Sequence, residues 1–480
     1  MKISLVNPYE LGRQPFGLAE PAAFLQKAGF TVSCCDLSIQ KLGACLTTDT
    51  NIVAIYIAMH TATRIAIEAL PKIKELAPDA SLCVYGLYAP MNANLFRSLG
   101  VQTILGGEFE NALVSMAKRI EAGAGDTQTE AETCLEKIEF IAPDRSKLPA
   151  LSNYASLINT DGSTMTVGFA ETTRGCKYHC RHCPVVPVYN GKFYVIPADV
   201  VLHDIRNQVA AGARHISFGD PDFFNGPGHA LKIVRALHCE FPALTYDATI
   251  KIEHIVNYPE EMKVLKETGC LFILSAVEAV DDNILGYLDK GHTRADFLDA
   301  IAYLRDIDID LTPTFVAFTP WTTLAIYLEL LHHIVELQLI ESVAPVQLSI
   351  RLLVPAGSWI LDIDNLDGMI GEFDAGILGH PWAIRTHGWI NCSRMYRPGS
   401  CKQRPTVFHV QIYSRGSGRY RTPSRVGLRR NLTCNIPGSR FRGCRKTGTA
   451  APNPPANNWS HSEATTRHER GPDRSPWCTG

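Results

Sequence analysis

Twice along this chain, short apolar runs of strand length alternate with stretches of helical periodicity. That alternation restricts the fold to α/β classes built on parallel strands. In residues 1–125 candidate strands at Ile3–Asn7, Thr31–Asp36, Ile52–Ala58, Leu82–Tyr85 and Thr103–Leu105 alternate with candidate helices at Ala19–Ala28, Thr61–Leu76, Met91–Leu99 and Phe109–Ala122. A doubly wound, Rossmann-like domain follows, with its ligands expected at the carboxyl ends of the strands. Gly106 and Gly107, between a strand and a helix, suit either a close backbone approach to such a ligand or a tight turn.

Residues 126–163 are polar and irregular and read as a linker. The alternation resumes over 164–382, with strands expected at Met165–Phe169, His215–Phe218, Leu244–Ile250, Leu271–Val277, Leu311–Phe318 and Val346–Leu353. Helical patterns fall at Ala198–Ala211, Gly228–Cys239, Glu260–Thr268, Arg294–Asp306 and Leu324–Leu337. Six such steps predict a parallel sheet curved into a partial (β/α)6 barrel of the TIM type, with chemistry at the strand carboxyl ends. A chain of 480 residues exceeds what one hydrophobic core usually serves, which agrees with this division.

Directly after the first strand of the second domain stands Glu171-Thr-Thr-Arg-Gly-Cys176-Lys-Tyr-His-Cys180-Arg-His-Cys183-Pro184. Three thiolates at x3 and x2 spacing let one short loop wrap three irons of a cube-shaped iron–sulfur cluster and leave the fourth iron open to a ligand. Arg174, Lys177 and Arg181 offset the negative charge collected there. Zinc held by the three cysteines with His179 or His182 remains the alternative on spacing.

The C-x3-C-x2-C loop after the first strand of a β/α barrel resembles the radical S-adenosylmethionine (SAM) superfamily, over residues 164–382. The resemblance implies a [4Fe–4S] cluster on Cys176, Cys180 and Cys183, whose open iron takes the amino and carboxylate groups of SAM. It also implies a one-electron reductant and a 5′-deoxyadenosyl radical acting on a second substrate. His182 stands where the family commonly has an aromatic residue near the adenine. Gly219 and Asp220 fall where a segment receives the methionyl amino group, and Asp222 follows, with a helix N-cap as its other reading. Ser275 and Glu278 end the fourth strand and resemble a segment that contacts the ribose. For Lys251, Glu253 and Lys290 a solvated surface charge is an equal reading.

The first domain is similar to the cobalamin-binding domain that precedes many radical SAM enzymes, through Leu105-Gly-Gly-Glu108, and this makes Gly106 and Gly107 candidate cobalamin contacts. The D-x-H-x-x-G signature that supplies a histidine to cobalt is absent, since Leu37 and Ser38 follow Asp36. His60 follows the third strand, where a packed or hydrogen-bonded histidine is the ordinary reading. Tyr9-Glu-Leu-Gly, Met59-His-Thr-Ala-Thr63, Tyr85-Gly-Leu-Tyr-Ala-Pro90 and Phe218-Gly-Asp-Pro-Asp-Phe223 resemble the CUAEP/CCAEP-tail radical SAM family, although no Cys-Ala-Glu-Pro is present. No second cysteine trio stands out in the first domain, which disfavours tRNA methylthiolation.

Charge sets the C-terminal region apart. Residues 383–480 carry 18 Lys and Arg against 3 Asp and Glu, while residues 1–382 carry 28 against 45. Only 11 of the last 98 residues are Leu, Ile, Val or Phe, too few to bury a core. One reading is a basic disordered arm, and the favoured one is an out-of-frame continuation beginning after Trp382, testable on the nucleotide sequence. Cys392, Cys401, Cys434, Cys444 and Cys478 then carry no site. The amino terminus shows no sustained apolar run, so the expectation is a cytoplasmic protein with no membrane and no nucleic-acid partner. A rival function is a non-catalytic zinc- or cluster-binding protein whose basic tail contacts nucleic acid.

Overall fold

Period-two burial builds the first sheet. Strands β1 (Lys2–Asn7), β2 (Thr31–Asp36), β3 (Ile52–Tyr56), β4 (Ser81–Tyr85), β5 (Thr103–Gly107) and β6 (Thr133–Cys134) pair in parallel in the order β2-β1-β3-β4-β5-β6. Ile52 and Ala54 point into one apolar core, shared with α1 (Phe16–Lys27) and α5 (Glu110–Glu121). Val53 and Ile55 point into the other, under α3 (His60–Leu76) and α4 (Ala93–Ser98). A strand buried on both faces is what an all-parallel sheet requires. Between β2 and β3, the short α2 (Leu42–Cys45) brings Cys45 to Cys35 in a disulfide, a pairing the sequence reading did not foresee. The segment read as a linker supplies β6 to the sheet edge.

The computed structural model describes residues 1–384 apart from 126, 160, 365 and 367, all within one compact unit. The expectations for the basic tail beyond Ile384 lie outside the described residues. Among those described, no helix is long and apolar enough to cross a membrane.

The second sheet curls from β7 (Ser156–Ile158), an antiparallel edge strand, through β8 (Thr164–Ala170). A small hairpin of β9 (Thr173–Gly175) and β10 (Phe193–Val195) with α6 (Val186–Tyr189) flanks the cysteine loop. Helices α7 (Ala198–Ala210), α8 (Pro227–Glu240), α9 (Ile252–Asn257), α10 (Pro259–Glu267), α11 (Asp282–Leu288), α12 (Arg294–Asp306) and α13 (Leu324–Glu336) alternate with β11 (His215–Phe218), β12 (Thr245–Thr249), β13 (Cys270–Glu278) and β14 (Asp310–Phe315). The order β14-β13-β12-β11-β8-β7 leaves five strands parallel, a partial barrel around the largest apolar core. Pro313 is tolerated in β14 because that strand is at the edge.

The expected sixth strand, Val346–Leu353, does not form. Pro345 opens a 3-10 turn over Pro345–Ser349, and the Gln347 side chain accepts the Phe315 N–H at 3.1 Å. A single parallel bridge between Phe318 and Arg351 marks where further pairing stops. Helices α9 and α11 escaped the sequence reading, each being shorter than two turns or little more.

Candidate functional site

The cysteine loop is fixed from beneath by a buried carboxylate. Asp220 follows β11 and accepts from the Thr172 and Thr173 backbone N–H groups and from both threonine hydroxyls, at 2.5–3.3 Å. Burial pushes its pKa up to about 6, against the pull of those hydrogen bonds. Four of these contacts fall on Oδ1 and one, from the Thr172 N–H, on Oδ2, so Asp220 anchors the loop and keeps acceptor capacity on Oδ2. Gly219 packs tightly in the same turn: a Cβ there would lie 1.9 Å from the Phe169 ring.

Gly175 enters the loop at φ +74°, where a Cβ would meet the Lys192 carbonyl at 2.5 Å. Asn225 then spans the turn, donating to the Gly175 carbonyl at 3.1 Å and accepting from the Lys177 N–H at 3.2 Å. Cys176 and Cys180 are buried and Cys183 is half-buried. Burial pushes the Cys176 thiol up to about 12 and the Cys183 thiol up to about 11. Among the described residues, no three His, Cys, Asp or Glu side chains gather as around a single ion.

Beside the loop, β13 ends in a strained residue. Glu278 has φ +69°, the pairing with β14 shifts register between Ala276 and Glu278, and its carboxylate meets His182 Nε2 at 3.1 Å. A non-glycine residue in this region is costly and persists where surrounding structure imposes it. Burial alone would raise its pKa, yet Lys290 at 3.7 Å, His182 and His292 hold it down at about 2. Lys290, given an equal chance of being a solvated surface charge, is only 5% exposed. Lys251 is likewise enclosed, 3.1 Å from Glu253 and 3.2 Å above the centre of the Tyr178 ring.

Several buried polar atoms here have no partner: His182 Nδ1, Ser275 Oγ and both ring nitrogens of His292. Burial, then Lys290 and Lys251, press the His292 pKa down to about 4, leaving it a neutral donor and acceptor. Unsatisfied buried groups cost about 1–3 kcal/mol each, so those of His182 and His292, both of which act on Glu278, fit a site shaped for a polar ligand. His292 was missed by the sequence reading, as was His254. That histidine is buried between Asp222, 3.0 Å from its Nδ1, and the Tyr178 hydroxyl, 2.5 Å from its Nε2. Asp222 thus caps Phe224 and steadies the loop through His254 and Tyr178. Its position in the turn after β11, with His254 in the helix after β12, was the available signal.

The loop is also held by the first domain. Arg174 is buried against Glu20, Glu108 at 3.5 Å and Glu110 at 2.6 Å, and Glu108 also accepts from Tyr189 at 3.0 Å. Gly106 and Gly107 are closed by protein: a Cβ on Gly106 would sit 2.2 Å from Pro90, and one on Gly107 2.1 Å from the Cys134 carbonyl. His60 Nε2 lies 2.8 Å from the Ile377 carbonyl.

Residues 170–322 match the family model described as the radical SAM superfamily. A tRNA-2-methylthio-N(6)-dimethylallyladenosine synthase of Photobacterium profundum is 23% identical over 252 residues, covering 50% of this chain and 49% of that protein. The corresponding synthase of Chlorobium chlorochromatii is 26% identical over 236 residues, covering 45% and 46%. The chain therefore spans about half the length of these curated relatives. Among solved structures, the cobalamin-dependent SAM radical enzyme OxsB with aqua-cobalamin and SAM bound shares the fold at TM-score 0.59 and 13% identity, covering 82% of this chain and 65% of that one. The radical SAM methyltransferase TsrM of Kitasatospora setae, with tryptophan and a SAM analogue, does so at TM-score 0.55 and 17% identity, covering 70% and 71%. With its loop of three cysteines at the mouth of a partial barrel, the segment 170–322 carries a radical SAM domain, and the chain is similar to enzymes of that superfamily over this part.

Proposed function

We propose that Cys176, Cys180 and Cys183 hold a [4Fe–4S] cluster, and that the polar atoms around Glu278 seat SAM for reductive cleavage and modification of a second substrate. The observation that carries this reading is the pair of histidines with unpartnered buried nitrogens, His182 and His292, beside a carboxylate kept ionised next to the cysteine loop. When bound, the cluster and SAM supply a radical able to abstract hydrogen. The chain's own part is positioning. Asp220 and Asn225 set the loop's path, and the Asp222–His254–Tyr178 contacts brace the turn between Cys176 and Cys180. Glu278, ionised and paired to Lys290, presents acceptors for hydroxyl groups, while neutral His292 offers one donor and one acceptor. A one-electron reductant is required as a partner.

Cobalamin, bound in the OxsB structure and in one of TsrM, comes to this chain through the shared fold. Gly106 and Gly107 must stay glycine there, because a Cβ on them would meet Pro90 and the Cys134 carbonyl. Methylthio transfer, named for the relatives, is not adopted. Among the described residues of the first sheet and its helices, Cys34 and Cys83 lie in the apolar core and Cys35 pairs with Cys45, which leaves Cys134 as the one free thiol that is half-buried.

Oxygen-free reconstitution with iron and sulfide, followed by reductant and SAM, tests the reading. The expected result is a brown protein that forms 5′-deoxyadenosine, with colour and product both lost in Cys180→Ala. Saturation of the loop by zinc with no deoxyadenosine would return the assignment to a non-catalytic metal-binding protein.

A further inference from the structure

Next to α11, outside the cluster of residues around Glu278, a cavity of about 470 Å3 is lined by Asp281, Tyr287, Trp321, Asp364 and apolar side chains including Ile284 and Met369. Its volume lies in the range of small-ligand sites. Its charge is one-sided: the lining holds two carboxylates and no Lys, Arg or His. Asp281 caps α11 through the Ile284 N–H at 3.0 Å, and Asp364 has no ion-pair partner among the described residues. The Tyr287 and Trp321 rings stack 4.5 Å apart at 21°, and Tyr287 is 40% exposed, so aromatic faces border the opening.

Two carboxylates without a counter-charge attract cations, aromatic faces add a cation–π attraction, and apolar walls take an organic body out of water. The cavity is also coupled to the cysteine loop. Arg181, between Cys180 and Cys183, donates its N–H to the Leu288 carbonyl at 3.0 Å and its guanidinium to the Tyr287 carbonyl at 3.1 Å, both on α11. Asp281 stands only three positions after Glu278 in the chain. We propose that this cavity receives the cationic end of the second substrate, an ammonium or guanidinium group carried on an apolar body. The proposal rests on the function given above and names the substrate class for it.

The cation could be a free amine or the side chain of a peptide, and oxygen-free calorimetry separates the two. The probes are 2-phenylethylamine and an acetylated, amidated Phe-Arg dipeptide, with phenylacetate as the anion of similar shape. Saturable binding of at least one cation is expected, with none for phenylacetate, and the tighter cation identifies the source. Trp321→Leu and Asp364→Asn should each weaken that binding by about tenfold. Asp281→Asn keeps a capping acceptor and provides a third variant if either fails to fold. Equal binding of phenylacetate, no saturation by either cation, or unchanged affinity in folded variants overturns the proposal. Deoxyadenosine formation is read separately. No cation binding by the parent protein with that activity intact sinks the cavity inference alone, whereas cation binding without deoxyadenosine sinks the enzyme reading and, with it, the identification of the cation as a substrate.

Discussion

His182 Nε2 lies 3.1 Å from Glu278 Oε1, a contact that ties the cysteine loop to the strained end of β13 across 96 residues of sequence. Through it, one carboxylate serves the loop, Lys290 and the unpartnered polar atoms together.

Replacing that carboxylate separates its roles. Glu278→Gln leaves Lys290 buried without its charge partner and should destabilise the fold by about 3 kcal/mol, read as a lower urea midpoint. SAM affinity measured by equilibrium dialysis should fall at least tenfold, since hydrogen bonds to charged groups are worth about 1.5–3 kcal/mol. Glu278→Gly relieves the positive φ and should be the more stable of the two, yet bind SAM no better.

Gly219 gives the opposite pattern. Gly219→Ala drives a methyl group into Phe169 and should cost about 1–3 kcal/mol. The double variant with Phe169→Leu should recover part of that stability and bind SAM within a few-fold of the parent. A double variant that regains stability but not SAM binding would show that Gly219 touches the ligand after all.

Asp220→Asn replaces acceptor capacity with an amide that faces the Thr172 and Thr173 donors. The backbone N–H groups of these residues, hydrogen-bonded to Asp220 in the parent, should exchange faster with deuterated solvent. Reconstituted iron should fall below the parent's while the remaining helices keep their exchange rates. Unchanged protection of residues 172–183 would refute the anchoring role.

Carboxylates outnumber cations around Arg174, and this makes stability depend on pH. Burial pushes Glu10 up to about 8 and Glu108 up to about 7, and it raises Glu110 and Glu171 well above the usual carboxylate range. These groups keep protons in the folded protein at pH values where the unfolded chain has lost them. Unfolding then releases protons, so stability falls as pH rises from about 5 to about 8. The melting temperature should be lower by several degrees at pH 8 than at pH 6, and Glu110→Gln should flatten the difference.

Much of the architecture was legible in local pattern. Thr31–Asp36 and His215–Phe218 were placed at their observed ends because alternating burial and flanking turns are properties of consecutive residues. The three cysteines were legible for the same reason, being gathered within one loop. Val346–Leu353 looked like a strand by its apolar content, but a strand needs a neighbour's backbone, and the Gln347 side chain took that place.

The sequence by itself determined the order of strands and helices, the cysteine loop and the division of charge, since each is carried by neighbouring residues. Only the tertiary structure decided what the remaining polar groups do. It turned Asp220 toward Thr172 and Thr173, placed His254 against Tyr178, buried Lys290 beside Glu278 and left His292 without a partner. Desolvation and hydrogen bonding depend on which distant segments meet, and those meetings are set by how the sheet curls rather than by spacing along the chain.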